Sequence, residues 1–346
     1  MRLGYLTKYD GSTGGPAMEP ILEAERLGFH SAWSGESWGT DAVTVTTWVL
    51  ARTTKLKAGT SIMQMPARTP ACAAMTAMTL DKMSGGRFLM GIGPSGPQVI
   101  EGWHGVPFGK PLGRTREYIE ILRKAFAREA ALEHHGEHYD IPYAGPGATG
   151  LGKPLKSILH GDPALPIYMA SISPAGLRTS GEIADGVLPI FMSPEKTGAI
   201  LDPVKEGLAK RKDGKTLADF DIGAYVRVSM GDDLQACRDQ IKPELALYIG
   251  GMGARDKNFY NDLAKRLGYE DAAGRIQDAF LSGQRKDAAA AVPDALVDEI
   301  CLVGPADRIR DRVQLWKEAA GSGAVGTMLL SVKTVDAMRV IAEAAA

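Results

Sequence analysis

A carboxylate, a hydroxyl and an indole stand in a row at Glu36, Ser37 and Trp38. They follow a short apolar run, His30 to Ser34, and precede a helical pattern. Such a trio at the end of a strand can hydrogen-bond to a ring system and stack on it. The same residues also suit a helix start, with Ser37 capping and Trp38 packing. His104, after Trp103, lies close to a glycine-rich loop. It reads as a proton donor or, equally, as a packed or surface histidine.

The glycine-rich loop is Gly91-Ile92-Gly93-Pro94-Ser95-Gly96, a match to G-x-G-x-x-G. A dinucleotide fingerprint needs those glycines to open a helix in the first βαβ unit. Here the unit is the fourth, and Pro94 and Pro97 flank the turn. The expectation is a loop whose bare backbone approaches a flat ligand, with a plain tight turn as the alternative. His134-His135-Gly136-Glu137-His138 resembles a ligand cluster. It sits in a Gly- and Pro-rich stretch with no helix to hold an i, i+4 pair and no cysteine nearby, so a solvated loop is expected and no metal site. No G-x-S-x-G nucleophile context and no phosphate P-loop occur.

The bulk chemistry excludes several partners. With 40 basic and 41 acidic residues, no field steers nucleic acid or an anionic membrane to the chain. No apolar run reaches the ~18 residues of a membrane span. Three widely spaced cysteines, Cys72, Cys237 and Cys301, point to a reducing compartment, the cytoplasm, rather than to a disulfide framework.

The elements that must position these residues centre on Thr79 to Gly96. An Ala- and Met-rich helix pattern from Pro70 stops at Gly85-Gly86, where glycine accepts the left-handed conformation. Arg87 to Ile92 then reads as a buried strand, with the glycine loop at its C-terminal end. Further strands are expected at 2–6, 30–34, 56–62, 165–169, 186–190, 221–230 and 325–331. Helices fall between them, the clearest over 114–130 and 305–320, where Ile309, Val313 and Trp316 share a face. Residues 133–162 read as an insertion with a small hairpin, and 232–291 as a helical one. Eight strands alternating with helices favour parallel βαβ units and a (β/α)8 barrel, with a doubly wound sheet as runner-up. No linker divides the chain, so one domain is expected over 1–346.

Several segments together resemble the bacterial luciferase-like superfamily of flavin and deazaflavin oxidoreductases. They are AERLGFHSAW (24–33), LKAGTSI (56–62), RTP (68–70), TLDKMSGGRFLMGIG (79–93), LPIYMAS (165–171), GEIADGVLP (181–189) and GAVGTMLLS (323–331). The resemblance implies a (β/α)8 barrel whose largest insertion lies between strands seven and eight, and a homodimer. Gly93 to Pro111 is similar to the branch that uses coenzyme F420, a deazaflavin hydride carrier. In that branch a bulge with a non-prolyl cis peptide backs the tricyclic ring, which implies Ser61-Ile62 here. The resemblance further implies Glu36, Ser37, Gly93, Pro94, Ser95 and Gly96 around the cofactor. It places Ala170, Ser171, Ile172 and Ser173 on the cofactor's phosphate, at a helix N-terminus beginning with Pro174, with Arg178 adding charge.

The sugar-phosphate dehydrogenases of the branch carry an Asp-His pair after strand two and a Glu after strand four. This chain has Glu36-Ser37 and Gly96. The resemblance therefore implies a reductase, similar to methylenetetrahydromethanopterin reductase, acting on an imine, an iminium or an activated C=C or C=O group of a small molecule. Proton donors are then Glu36, His104, Tyr9 or water. Two alternatives stand beside it: an FMN monooxygenase on the same barrel, and a non-catalytic barrel that only binds a flavin or deazaflavin.

Overall fold

The elements begin and end where side chains or glycines supply what the backbone lacks. The computed structural model describes residues 1–8, 12 and 14–346. Strand β1 is Arg2–Leu6, followed by helix α1 at Met18–Arg26. Strand β2, Ser31–Ser34, leads to α2, Ala42–Arg52, whose first turn is capped by Asp41 accepting from Thr44 N. Strands β3, Lys57–Thr60, and β4, Met63–Gln64, precede α3, Pro70–Ser84. Thr69 caps the start of α3, and Gly85, at φ 68°, ends it. Strand β5 is Phe88–Gly93, followed by short α4, Pro97–Gly102, and α5, Pro111–Ala127. A two-residue hairpin follows, β6 at His134–His135 and β7 at Asp140–Ile141.

The second half continues with β8, Ile167–Met169, α6, Pro174–Ile183, β9, Gly186–Val187, α7, Gly198–Leu208, and β10, Asp221–Met230. The insertion carries α8, Leu234–Ala246, α9, Phe259–Arg266, α10, Glu270–Leu281, α11, Arg285–Ala290, and α12, Asp294–Ile300. Strand β11, Cys301–Gly304, helix α13, Ala306–Gly321, strand β12, Thr327–Ser331, and helix α14, Val335–Ala345, close the chain.

The sheet runs β1-β2-β3-β5-β8-β9-β10-β12 and returns to β1, every pair parallel. This is a closed eight-stranded (β/α)8 barrel, as the alternation of elements predicts. The doubly wound sheet is thereby set aside. Strand β11 lies outside the expected eight. Arg227 pairs with Ser331 of β12 on one side and with Cys301 of β11 on the other, so β11 covers the part of β10 that short β9 leaves unpaired.

Outward-facing strand residues and the inner faces of the helices form the main core, from Leu3 and Ala32 to Leu330 and Ile341. Inward-facing Leu6, Trp33, Leu89, Tyr168, Leu188 and Leu329 fill the lumen, so the barrel is packed and has no pore. The lower end is sealed by buried Asp221. It accepts from the Tyr168 hydroxyl at 3.0 Å and the Thr327 hydroxyl at 2.9 Å, and it pairs with Arg2 at 2.9 Å. Chemistry is thus left to the upper end, where the strands' C-termini and their loops meet.

Candidate active site

The upper rim is shaped first by a misregister. Gly59 pairs with Leu89, and Met63 with Ile92. Four steps on one strand face three on the other, so one extra residue is accommodated between β3 and β4. This is a β-bulge, a feature that re-aims side chains beside functional sites. Its peptide Ser61–Ile62 is cis, at the position the family resemblance implies. Gly35 approaches the bulge so closely that a Cβ there would lie 2.8 Å from Ser61 O.

Gly93, at the end of β5, faces the bulge. A Cβ on Gly93 would stand 2.9 Å from Ile62 Cδ1 and 3.4 Å from the Ala170 methyl. Ile62, Gly93 and Ala170, expected from sequence to share a site, therefore meet on one wall, where the Ile62 side chain lies over the bare backbone of Gly93. Gly91, two residues earlier, has no room for a Cβ against Thr60 O. The glycines of the G-x-G-x-x-G match thus admit the neighbouring strand and keep a wall low; they do not open a dinucleotide-binding helix. Ser95, at φ 59°, and Gly96 lead from Pro94 into α4, for which Gly96 is the N-cap residue.

Glu36 is held deep in the rim. Its carboxylate accepts from Ala42 N at 2.9 Å, Gln64 N at 2.8 Å, and Arg68 Nη1 and Nη2 at 2.6 and 3.1 Å. Arg68 also pairs with Asp41. Burial lowers the Arg68 pKa, but the Glu36 and Asp41 carboxylates outweigh it and raise the pKa overall. Burial likewise pushes the Asp41 carboxyl up, while bonds from Thr44 and the charge of Arg68 carry it below its ordinary value. Four donors occupy Glu36, so it serves as a brace between β2, β4 and α2 and has no free acceptor position for a substrate. Ser37 and Trp38 neither cap nor pack: Asp41 caps α2, and Trp38 is 62% exposed. Ser37 contributes its backbone carbonyl to the same network.

Gln64 is the centre of that network, and sequence reasoning passed it over. It is fully buried, and its amide nitrogen donates to Glu36 O at 3.2 Å and Ser37 O at 2.9 Å. That fixes the amide orientation and leaves Oε1 to accept from His104 Nε2 at 2.6 Å. Neutral His104 therefore carries its proton on Nε2 and leaves Nδ1 as an open acceptor. The RTP segment that includes Arg68 was visible as a matching stretch, but its role was not. Nothing in spacing announces Gln64, because its partners lie 27 and 40 residues away. Tyr9 lies outside the described residues.

The third part of the rim is the start of α6. Ser173 caps it, accepting from Gly176 N at 3.2 Å. Ser171 Oγ crowds the space a Cβ on Gly176 would fill, and Ser173 Oγ lies 3.0 Å from that point. Two hydroxyls and a helix N-terminus so converge on a cradle suited to an anion. Arg178 does not add charge there, because it pairs with Glu206 at 3.2 Å. Arg266, from α9 of the insertion, instead donates to Ile172 O at 2.7 Å and so reaches the cradle loop. Two histidines of the hairpin are engaged locally, His134 with Glu117 at 3.2 Å and His135 with Asp140 at 2.6 Å, while buried His138 Nε2 has no hydrogen-bond partner among the described residues. Among the described residues no group of three or more His, Cys, Asp or Glu side chains is placed to hold a metal.

The profile of the luciferase-like monooxygenase family matches residues 1–323, and the chain belongs to that family. A Mycobacterium tuberculosis protein whose name places it among coenzyme F420-dependent oxidoreductases is 43% identical over 325 residues, 94% of this chain and 92% of the relative. The 5,10-methylenetetrahydromethanopterin reductase of Archaeoglobus fulgidus is 28% identical over 302 residues, 86% of this chain and 84% of the relative. Among solved structures, the coenzyme F420-dependent tetrahydromethanopterin reductase of Methanopyrus kandleri shares the fold. Its TM-score is 0.78 at 22% identity, covering 99% of this chain and 97% of that one.

Proposed function

We propose that this protein is a coenzyme F420-dependent oxidoreductase that reduces an imine, an iminium or an activated C=C or C=O group of a small molecule. The observation that carries the reading is the meeting of Ile62, Gly93 and Ala170 in one low wall beside the Ser61–Ile62 bulge. A flat tricyclic ring needs an even face, and a Cβ on Gly93 would push the Ile62 side chain out of its place in that face. The serine cradle at α6 suits the phosphodiester such a cofactor carries, held by Ser171, Ser173 and backbone N–H groups. When bound, the deazaflavin supplies a hydride to the acceptor atom of the substrate.

The chain's own residues then have the proton to manage. Glu36, saturated by Arg68 and two backbone N–H groups, fixes the loop after β2. Gln64 holds His104 through Nε2, and His104 Nδ1 is the atom that takes and gives the proton. The sequence at Ser37 and Gly96 lacks the His and Glu of the sugar-phosphate dehydrogenases, which supports a reductase and not a glucose-6-phosphate dehydrogenase.

Titration of the cofactor-free protein with F420 and with FMN, followed by cofactor fluorescence, tests the reading. F420 binding with weak or no FMN binding is expected. The reverse result would replace it with the FMN monooxygenase. F420 binding with no turnover of any imine or enone would leave only a binding barrel.

A homodimer also belongs to this proposal. Trp48, Met75 and Met83 lie 47, 65 and 75% exposed on adjacent α2 and α3, side chains that a partner subunit would cover. Elution at the monomer mass would remove that part of the reading. No described helix is long and apolar enough to cross a membrane.

A further inference from the structure

The rim opposite the Gly93 wall has another character. Strand alternation puts Gly4 and Leu6 of β1 in the lumen and carries Lys8 to the mouth above them. On β12, Leu329 faces the lumen and Ser331 continues the same row; on β10 the row runs through Tyr225 to Arg227, which pairs with Ser331. Lys8, Ser331, Tyr225 and Arg227 thus occupy one arc.

Arg227 is buried, and three rings face its guanidinium: Tyr225 at 4.6 Å, Tyr248 at 5.4 Å and Phe191 at 5.5 Å. Tyr260 packs on Tyr248 and Phe191 and completes an aromatic wall. Arg227 Nη2 pairs with Glu244 at 2.7 Å, and its Nε has no hydrogen-bond partner among the described residues. Lys8 gives one N–H to Val332 O at 2.8 Å, and its other two have no partner among the described residues. Lys8 also feels the charges of Lys333 and Glu244, and Glu244 is already paired with Arg227. The Ser331 hydroxyl and the Tyr225 hydroxyl have no hydrogen-bond partner among the described residues.

We infer that this arc binds the substrate through an anionic group, a carboxylate in the simplest case, carried on a flat unsaturated or aromatic body. Lys8 and the Ser331 hydroxyl receive the anion, and Tyr225 and Tyr248, stiffened by Arg227, stack on the body. Arg227 is a positioning residue: its charge is spent on Glu244 and the rings, and Lys8 meets the ligand. The inference deepens the reductase reading and rests on it for the location of the reactive bond between the two arcs.

Calorimetric titration of the F420-loaded protein with trans-cinnamate and with its neutral isostere trans-cinnamamide tests it. Cinnamate is expected to bind about 10-fold tighter or more. Lys8→Met should bring the two to within about twofold, while Lys8→Arg keeps most of the preference. Equal affinity in the native protein, an unchanged preference in Lys8→Met, or no binding of either compound would overturn the inference. Circular dichroism of each variant verifies folding, and Lys333→Met, at an exposed site, supplies a second variant with a smaller expected loss. The same titrations on cofactor-free protein separate the two readings. An anion preference without F420 binding would retain the acidic substrate and discard the cofactor; F420 binding without the preference would do the opposite.

Discussion

The two halves of the barrel mouth solve opposite problems with the same strand geometry. The arc of β3, β4, β5 and β8 presents Ile62, Gly93 and Ala170, apolar residues of which only Ile62 has a large side chain. The arc of β1, β12 and β10 presents Lys8, Ser331, Tyr225 and Arg227, where nearly everything is polar or aromatic. A bare wall gains its selectivity from shape, because any added carbon collides. A furnished wall gains it from charge and stacking, and it tolerates changes in shape. The difference teaches that substitutions should fail sharply on one side and gradually on the other.

The largest effect is expected behind the bare wall. Arg68→Met leaves Glu36 buried and without its ion-pair partner, which should cost about 3–5 kcal/mol in urea unfolding. A loss below about 1 kcal/mol would mean that the backbone N–H groups of Ala42 and Gln64 suffice. Gly93→Val on the bare wall should weaken F420 binding about 100-fold, near 2.7 kcal/mol. Binding at native affinity would show that the ring lies elsewhere.

His104→Gln keeps a donor toward Gln64 but removes Nδ1 as a proton carrier, so kcat should fall about 100-fold with KM nearly unchanged. An unaltered kcat would assign the proton to water. The smallest effect concerns pH. Desolvation at the rim, helped by Lys333 and only partly offset by Glu244, pushes the Lys8 ammonium down to about 8. The cationic form dominates below that pH, so the preference for cinnamate over cinnamamide should persist at pH 7 and fade as pH rises through 8 toward 9. A flat ratio over that range would remove Lys8 from the anion site.

How much of this could be read from the chain differs between the arcs in the same way. The bare wall was legible, because glycine runs after apolar strands and matching segments around Ser61-Ile62 are local signals. Helix α6 over Pro174–Ile183 begins at the predicted residue, since Ser173 caps it within the same short word. The brace was not legible. Glu36 reads as a reactive carboxylate until Arg68, 32 residues on, is seen to hold it. Gln64 and His104 meet only because the bulge turns β4. Strand β11, Cys301–Gly304, went unread as well, since four apolar residues between two helices carry no periodicity of their own. The furnished arc joins residues from both chain ends and the middle, a proximity that only barrel closure creates.

The bond from Arg266 to Ile172 O ties the late insertion to the cradle loop. It makes loading of the cradle and local opening of α9 two sides of one equilibrium. A ligand that orders residues 170–173 must also slow amide exchange in Phe259–Arg266. Loosening that helix must, by reciprocity, speed the release of whatever the cradle holds. On the proposed reading the insertion would act as a clasp on residence time, its sequence setting how long the cofactor stays without touching the ring or the substrate.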